Sequence, residues 1–305
     1  MTAGDTLPPP FKGPRDPGDA WAVGPDGTKM WGLFGSAGLL AVDRTRGVLL
    51  QHRATWSHFG GTWGIPGGAR HEGESAVDAA LRESHEEAGV PAEALEPLFT
   101  RVLDLGFWTY TTAAAWATRE FEPSVRDHES LDLAWVPVDE VDRRPLHPHF
   151  GEAWPLLKAM IGHRPRLIVD AANVIGSRPD GWWRDRAGAA ARLLEELASA
   201  VDAGLPADLL GMDAHTAWPD TVVVLEGAAK TASGTEAPRL EIARALRSGD
   251  DEIVARVESL LKNDGGAPVT VVTSDRGLRQ RVEDLGARCV GAGALRKVLE
   301  GVQAD

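Results

Sequence analysis

Three glutamates, Glu83, Glu86 and Glu87, stand at i, i+3 and i+4 in the segment GGARHEGESAVDAALRESHEEAGV, residues 67–90. On a helix this spacing puts the three carboxylates on one face, within a turn of each other. A divalent cation relieves their repulsion, and an all-oxygen ligand set of this kind suits Mg²⁺ or Mn²⁺. Arg82, one residue earlier, can pair with and orient a carboxylate. Gly67 and Gly68 permit a tight turn that brings backbone close to the site. An isolated E-x-x-E-E would be equally at home on a solvated helix face, so the spacing across the whole segment has to decide.

A second set of acids sits at the ends of short β-branched runs. Asp170 closes LIVD, Glu226 closes VVVLE, Asp275 follows VTVVTS, and Asp250 opens the helical pattern DDEIVARVESLL. In an open parallel sheet, chemistry collects at the carboxyl ends of the strands. Acids converging there form a divalent-metal site of the kind that cleaves phosphodiesters through metal-activated water. Capping of a helix N-terminus explains Asp250 without any metal. Trp182, Trp183, Arg184 and Arg186 form a compact aromatic and basic patch. It reads either as a clamp that stacks single-stranded RNA or as buried tryptophans beside a salt-bridged helix start.

The elements that must position these residues follow from periodicity. Six prolines and five glycines in the first 30 residues predict a loose leader, taken as residues 1–18. AWAVGPDGTKMWG reads as a hairpin around a Pro-Asp-Gly turn. GLLAVD and GVLLQHR form a strand pair, and a helix over 74–87 is ended by Gly89. Strands follow at FTRVLDL, WTYTTAAAWAT and LDLAWVPV, and the helix GEAWPLLKAMI closes this half. Beyond residue 163 the rhythm changes. LIVDA, TVVVLE, VTVVTS and ARCVGA alternate with helical patterns over 185–201, 250–262 and 276–285, which predicts a parallel sheet covered by helices.

Composition limits the functional classes. The 305 residues, 43% apolar and 25% charged, suit two globular domains, here 19–163 and 164–305. Net charge is -13, and neither half has the basic balance of a DNA-binding module. The single cysteine, Cys289, excludes intrachain disulfides and a multi-cysteine zinc site. With no run of about 18 apolar residues and no secretory h-region, membrane attachment is not expected, and a cytoplasmic location is the simplest expectation.

The glutamate segment fits the pattern G-x5-E-x7-R-E-U-x-E-E-x-G-U through Gly68, Glu74, Arg82, Glu83, Glu86, Glu87, Gly89 and Val90; Ser84 alone departs, where U asks for an aliphatic residue. In this it resembles the Nudix hydrolases over about residues 20–162. The resemblance implies an α/β/α sandwich with a mixed sheet and Mg²⁺-dependent hydrolysis of a nucleoside diphosphate linked to a moiety X. Glu83, Glu86 and Glu87 would hold the metal, Gly67, Gly68 and Arg82 would line the substrate loop, and Glu129 in RDHESLDLAWV is a candidate general base. WGIPGGARHEGE looks like the MutT-type branch, which acts on oxidised nucleoside triphosphates. Phe59, Trp63, Phe107 or Trp108 would stack a base, and His147 and His149 of LHPHF precede the last helix of the domain.

Residues 165–300 resemble the NYN branch of PIN-like nucleases, especially the YacP-like group, through IVDAANVIGSRPDGWWRDR, VVVLEG, GDDEIV and VVTSDRGLRQRV. The resemblance implies a Rossmann-like domain in which Asp170, Asp250 and Asp275 carry metal and Asn173 hydrogen-bonds nearby, with Asp185 a further acid. Glu226 stands where the family more often has Asp. The resulting expectation is a Nudix pyrophosphohydrolase fused to a ribonuclease-like domain. One alternative makes the ribonuclease the main catalyst and the Nudix domain its nucleotide or RNA-end sensor. Another has the Nudix fold bind a nucleotide without cleaving it.

Overall fold

The computed structural model describes residues 16–179, 181–234, 237–263 and 266–302. The leader expected over 1–18 therefore lies outside the described residues except for its last three, and these form a turn in which Asp16 accepts from the Gly18 N–H at 2.8 Å. The chain divides into two compact units at Gly162/His163.

In the amino-terminal unit the hairpin pairs β1 (Trp21–Val23) with β2 (Lys29–Trp31). The main sheet contains β3 (Ser36–Asp43), β4 (Gly47–Arg53), β5 (Trp63–Gly64), β6 (Gly67–Ala69), β7 (Leu95–Asp104), β8 (Thr109–Ala117) and β9 (Ser130–Val136). It is mixed: β3 runs parallel to β8 and antiparallel to β4 and β6, while β7 pairs antiparallel with β8 and β9 with β4. Two helices accompany it, α1 (Ala76–Ala88) and α2 (Pro148–Met160). Leu39, Ala41, Leu49, Ala113 and Ala115 pack against Ala79, Ala80 and Ala88 of α1. The alternate residues, Leu40, Val42, Leu50 and Trp116, are buried as well, because successive side chains of a strand point to opposite faces. The Trp116 indole N–H donates to the Ile161 carbonyl just beyond α2 at 3.0 Å.

Helix α1 begins two residues later than its hydrophobic pattern predicts. Ser75 stays extended and its hydroxyl accepts from the Asp78 N–H at 3.1 Å, so the cap and not the pattern sets the start. Gly89 ends the helix in the left-handed region, with φ 69°, and its N–H returns to the His85 carbonyl at 3.0 Å. Ser84 is fully buried where an aliphatic residue is the rule, and its hydroxyl is satisfied within the helix by the Leu81 carbonyl at 3.0 Å. Strand β7 starts four residues earlier than predicted. Pro97 lies at an irregularity in its pairing with β8, which obscures the strand in the sequence.

The carboxyl-terminal unit holds a separate five-stranded parallel sheet. Its strands are β10 (Arg166–Asp170), β13 (Asp220–Leu225), β14 (Leu240–Arg244), β15 (Val269–Val272) and β16 (Arg288–Val290), in the spatial order β14-β13-β10-β15-β16. A two-residue pair, β11 (Leu205–Pro206) with β12 (Thr216–Ala217), precedes β13. The helices are α3 (Ala171–Gly176), α4 (Arg186–Ala203), α5 (Gly249–Asn263), α6 (Arg276–Glu283) and α7 (Ala292–Val302). Ile168, Val224, Ala243 and Val271 pack with Ile253 and Val257 of α5 and Leu278 of α6. The sequence reading missed β14, whose Glu241 and Arg244 disguise an edge strand, and also α3 and α7. LIVDA is cut at Asp170, because that residue caps α3 by accepting from the Asn173 N–H at 3.0 Å.

Replacing Gly89 by alanine forces a Cβ into a left-handed turn and against the Arg126 guanidinium. Gly89→Ala should destabilise the amino-terminal unit by about 1–2 kcal/mol. Chemical denaturation of the full chain checks this; an unchanged midpoint contradicts the role given to the cap.

Candidate active site

The amino-terminal site is assembled by three segments: β6, α1 and the loop before β9. Glu87, on the buried face of α1, accepts from the Gly67 N–H at 2.9 Å. A Cβ on Gly68 would fall 2.6 Å from the Glu83 carboxylate, so glycine lets the backbone come close to that group where it stands. From the loop, Asp127 accepts from the Ser130 hydroxyl at 2.8 Å, and that hydroxyl in turn accepts from Gln51 at 2.8 Å. The Glu129 carbonyl is tied to the Ala54 N–H at 2.7 Å. As a result, carboxylate oxygens of Glu87, Asp127 and Glu129 lie within 4.8 Å of one another.

Arg82 spends its guanidinium on the scaffold. It donates to both Glu74 oxygens at 2.8 and 3.0 Å, to the Ala69 carbonyl at 2.9 Å, to Glu83 at 2.8 Å and to Glu86 at 3.4 Å. The first of these bonds dominates in holding Glu74 down at about 2. The acids facing the site shift the other way. Burial raises Glu83 to about 7 against its bond to Arg82. Burial, then the charges of Glu83 and Asp127, pushes Glu87 well above the carboxylate range. Glu129 is raised by burial and by Asp127. Glu86 is the exposed member, with its side chain 60% accessible.

A hard divalent cation fits this donor set. The carboxylates are gathered from separate segments, the charged forms are disfavoured by burial and mutual repulsion, and every available donor atom is oxygen. Of the three helix glutamates, Glu87 is the one that joins Asp127 and Glu129 in this cluster among the described residues, while Glu83 and Glu86 are bonded to Arg82 on the same helix. Asp127 escaped the sequence reading; its signal was an acid two residues before Glu129 in R-D-H-E.

The four aromatic candidates separate by exposure. Trp63 is buried, stacked on His52 at 4.7 Å with the Arg144 guanidinium 4.3 Å from its centroid. Trp108 is buried and donates to the Trp31 carbonyl at 2.9 Å. Phe107 lies against Gly24 and is half-buried. Phe59 is exposed, has φ 53°, and meets the His147 ring edge-on at 4.8 Å. His147 directly precedes α2 and burial lowers it to about 4, while His149 lies in the first turn.

In the carboxyl-terminal unit the acids gather at the carboxyl edge of the parallel sheet. Asp170 is pinned by the Thr273 hydroxyl at 2.9 Å, and Asn173 accepts from the Ser274 N–H at 2.8 Å, which joins the ends of β10 and β15. Thr273 is fully buried and was another residue the sequence reading missed. Burial raises Asp170, and the charges of Asp250 and Glu226 add to it. Burial also raises Asp250, with Asp275 and Glu226 next in effect. Among the described residues these acids do not bring three ligand atoms within 4.8 Å, in contrast to the amino-terminal set. Glu226 accepts from the Gly249 N–H at 2.8 Å at the start of α5, Asp275 caps α6, and Asp185 caps α4. Trp182 and Trp183 meet edge to face at 6.1 Å in a short 3-10 turn; Trp183 and Arg184 are exposed, and Arg186 lies over Trp182 at 5.4 Å.

A mixed sheet that presents a glutamate-bearing helix to a glycine turn is the arrangement that the Nudix resemblance implies. Comparison with known proteins agrees: residues 33–159 match the NUDIX domain, and the chain belongs to the Nudix family. A Mycobacterium tuberculosis protein named "Putative 8-oxo-dGTP diphosphatase 3" is 48% identical over 154 residues, covering 47% of this chain and 70% of that protein. The crystal structure of a Nudix hydrolase from M. smegmatis, RenU, is 44% identical, covers 47% of this chain and 94% of its own, and gives a TM-score of 0.43. The structure of Rae1 (YacP) from Bacillus subtilis, 19% identical, covers 46% of this chain and 77% of its own with a TM-score of 0.34. Among the described residues no helix is long and apolar enough to cross a membrane.

The pKa directions fix the pH response of the metal-free protein. A carboxyl raised by folding from 4.5 to about 7, as Glu83 is, favours the fold while protonated, and that stability is lost as pH rises through this window. Glu74 acts oppositely, losing its contribution as pH falls from 4.5 toward about 2. Mg²⁺ should therefore raise the melting temperature of the amino-terminal transition more at about pH 7.5 than at about pH 5. Glu87→Gln should stabilise the EDTA-treated protein at the higher pH and remove most of the Mg²⁺ increment. Melting curves of both proteins with EDTA or Mg²⁺ read the difference, and an increment of equal size at both pH values would contradict the assignment.

Proposed function

We propose that this chain is a Mg²⁺-dependent pyrophosphohydrolase of nucleoside diphosphates linked to X, with ordinary or oxidised nucleoside triphosphates as its first substrate class. The observation that carries this reading is the carboxylate cluster of buried Glu87 with Asp127 and exposed Glu129, Glu87 being tied to the Gly67 N–H of the glycine turn. The name of the M. tuberculosis relative and the MutT-type stretch around the turn support the substrate class. Mn²⁺ would meet the same ligand requirements. Glu83, Glu86 and Glu87 would hold the metal, which would supply Lewis acidity toward the diphosphate and a more acidic water. Glu129, raised above its ordinary value by burial and by Asp127 and set in a loop, is the group suited to accept the proton of an attacking water. Arg82 orients Glu83 and Glu86 from behind, and exposed Phe59 offers a ring to the base.

A second activity is proposed for residues 164–305, beside the Nudix domain at 19–163: metal-dependent cleavage of single-stranded RNA by a PIN/NYN-like domain. Support comes from Asp170, Asp250 and Asp275 at one edge of the parallel sheet, where burial raises Asp170 and Asp250, and the charge of Asp250 adds to the first and that of Asp275 to the second. Asn173 ties the strand ends there, and Trp182, Trp183 and Arg184 would contact the RNA.

The decisive assay measures phosphate and pyrophosphate release with Mg²⁺ from ordinary and 8-oxo triphosphates, ADP-ribose, dinucleoside polyphosphates and capped RNA. Glu86→Gln and Glu87→Gln should each lower turnover of one class by at least ~100-fold, since lost supporting partners of metal ligands already cost 10–100-fold. Asp275→Asn should leave that turnover intact and abolish cleavage of a labelled single strand. Nucleotide binding without turnover of any class would instead favour the sensor alternative.

A further inference from the structure

Asp127 enters the carboxylate cluster at the end of a buried polar chain that starts on another strand. On β9, Leu133 and Trp135 pack on the apolar cluster beneath α1, so alternation turns Asp132 and Ala134 to the opposite face. In a regular strand Ser130 would follow them there. The pairing with β4 slips at this point: His52 stands opposite Asp132, but Arg53 stands opposite Ser130. The extra residue, Leu131, is 52% exposed, and the slip turns Ser130 to the α1 face. There it meets Gln51, which shares that face with Leu49, two residues earlier on β4.

Gln51 is fully buried, and its Nε2 donates to the Ser130 hydroxyl oxygen at 2.8 Å. That hydroxyl gives its own hydrogen to Asp127 Oδ1 at 2.8 Å, and the Ser130 N–H donates to the same oxygen at 3.2 Å. Both bonds end on Oδ1, which leaves Oδ2 without a hydrogen bond among the described residues. Two neutral donors favour the ionised carboxylate without cancelling its charge.

Folding alone gives little reason for the amide. Gln51 Oε1 is buried with no partner among the described residues, and an unmet buried acceptor costs stability. An apolar side chain of the same length would fill the space without that cost. What the amide adds is direction: by donating to the Ser130 oxygen it turns the hydroxyl hydrogen toward Asp127.

We propose that Gln51 and Ser130 are positioning residues that aim Asp127 at the divalent cation as a ligand from outside α1. This role rests on the cation-dependent hydrolysis proposed above. The strand slip is what delivers it, because it brings the serine to the face where Gln51 and the carboxylates lie.

Titration calorimetry of the metal-stripped full chain with Mn²⁺ tests the role, the heat lost in Glu87→Gln marking the amino-terminal site. Gln51→Met and Ser130→Ala should each weaken that site at least ~10-fold, as loss of the supporting partners of metal ligands does. Ser130→Thr, which keeps the hydroxyl, should retain the native affinity. In EDTA the unfolding midpoint of Gln51→Met should be no lower than that of the native chain, since the unmet oxygen leaves with the amide. Nucleotide turnover by Gln51→Met should recover as Mn²⁺ is raised. Native Mn²⁺ affinity in Gln51→Met and Ser130→Ala overturns the positioning role and leaves the hydrolase reading standing. A loss that Ser130→Thr shares in full, a lowered midpoint in Gln51→Met, or turnover that added Mn²⁺ does not restore has the same consequence. If Glu87→Gln removes no Mn²⁺ heat, the cation reading itself falls, and this role falls with it.

Discussion

One guanidinium, that of Arg82, joins the parts from which the amino-terminal site is made. It reaches Glu74 at the end of the glycine loop, the Ala69 carbonyl on β6, and Glu83 and Glu86 on its own helix. Charge-assisted, forked bonds of this sort are the strong members of their class. By holding loop and helix together, they set how far Gly67 stands from α1, and hence that its N–H meets Glu87. A lysine could not satisfy these acceptors at once, because it lacks the planar fork.

Around that anchor the protein tolerates an unfavourable arrangement. Glu87 is 5% exposed, close to Asp127 and Glu129, and in the metal-free protein its charge has one backbone N–H against it. Burying like charges costs folding energy unless protons or cations compensate. The fold meets that cost elsewhere: Ala79, Ala80 and Ala88 seat α1 tightly on the sheet, and both helix ends are capped. The carboxyl-terminal unit gathers Asp170, Asp250 and Asp275 at the carboxyl edge of its sheet. A parallel sheet makes this possible because all its carboxyl ends share one side.

Much of this was legible along the chain. Glu83, Glu86 and Glu87 share a face through helical periodicity alone, and the left-handed turn after α1 could be read from Gly89. The alternation of β-branched runs with helical patterns foretold the parallel sheet after residue 163. Local chemistry of this kind needs only neighbours within a few residues. The boundaries were less legible. Ser75 and Asp170 each act as helix caps and thereby move an element end by a residue or two, and charged Glu241 and Arg244 hid an edge strand.

The residue types, their helical spacing and the family they belong to were therefore determined by the sequence itself. Only the tertiary structure decided that Asp127, forty residues beyond Glu87, completes the carboxylate set; that buried Thr273 holds Asp170; and that Trp63 and Trp108 are core while Phe59 is open. The physical reason is common to all three. Each depends on strand pairing and burial between segments far apart in the chain, and neither leaves a local periodic trace in the sequence.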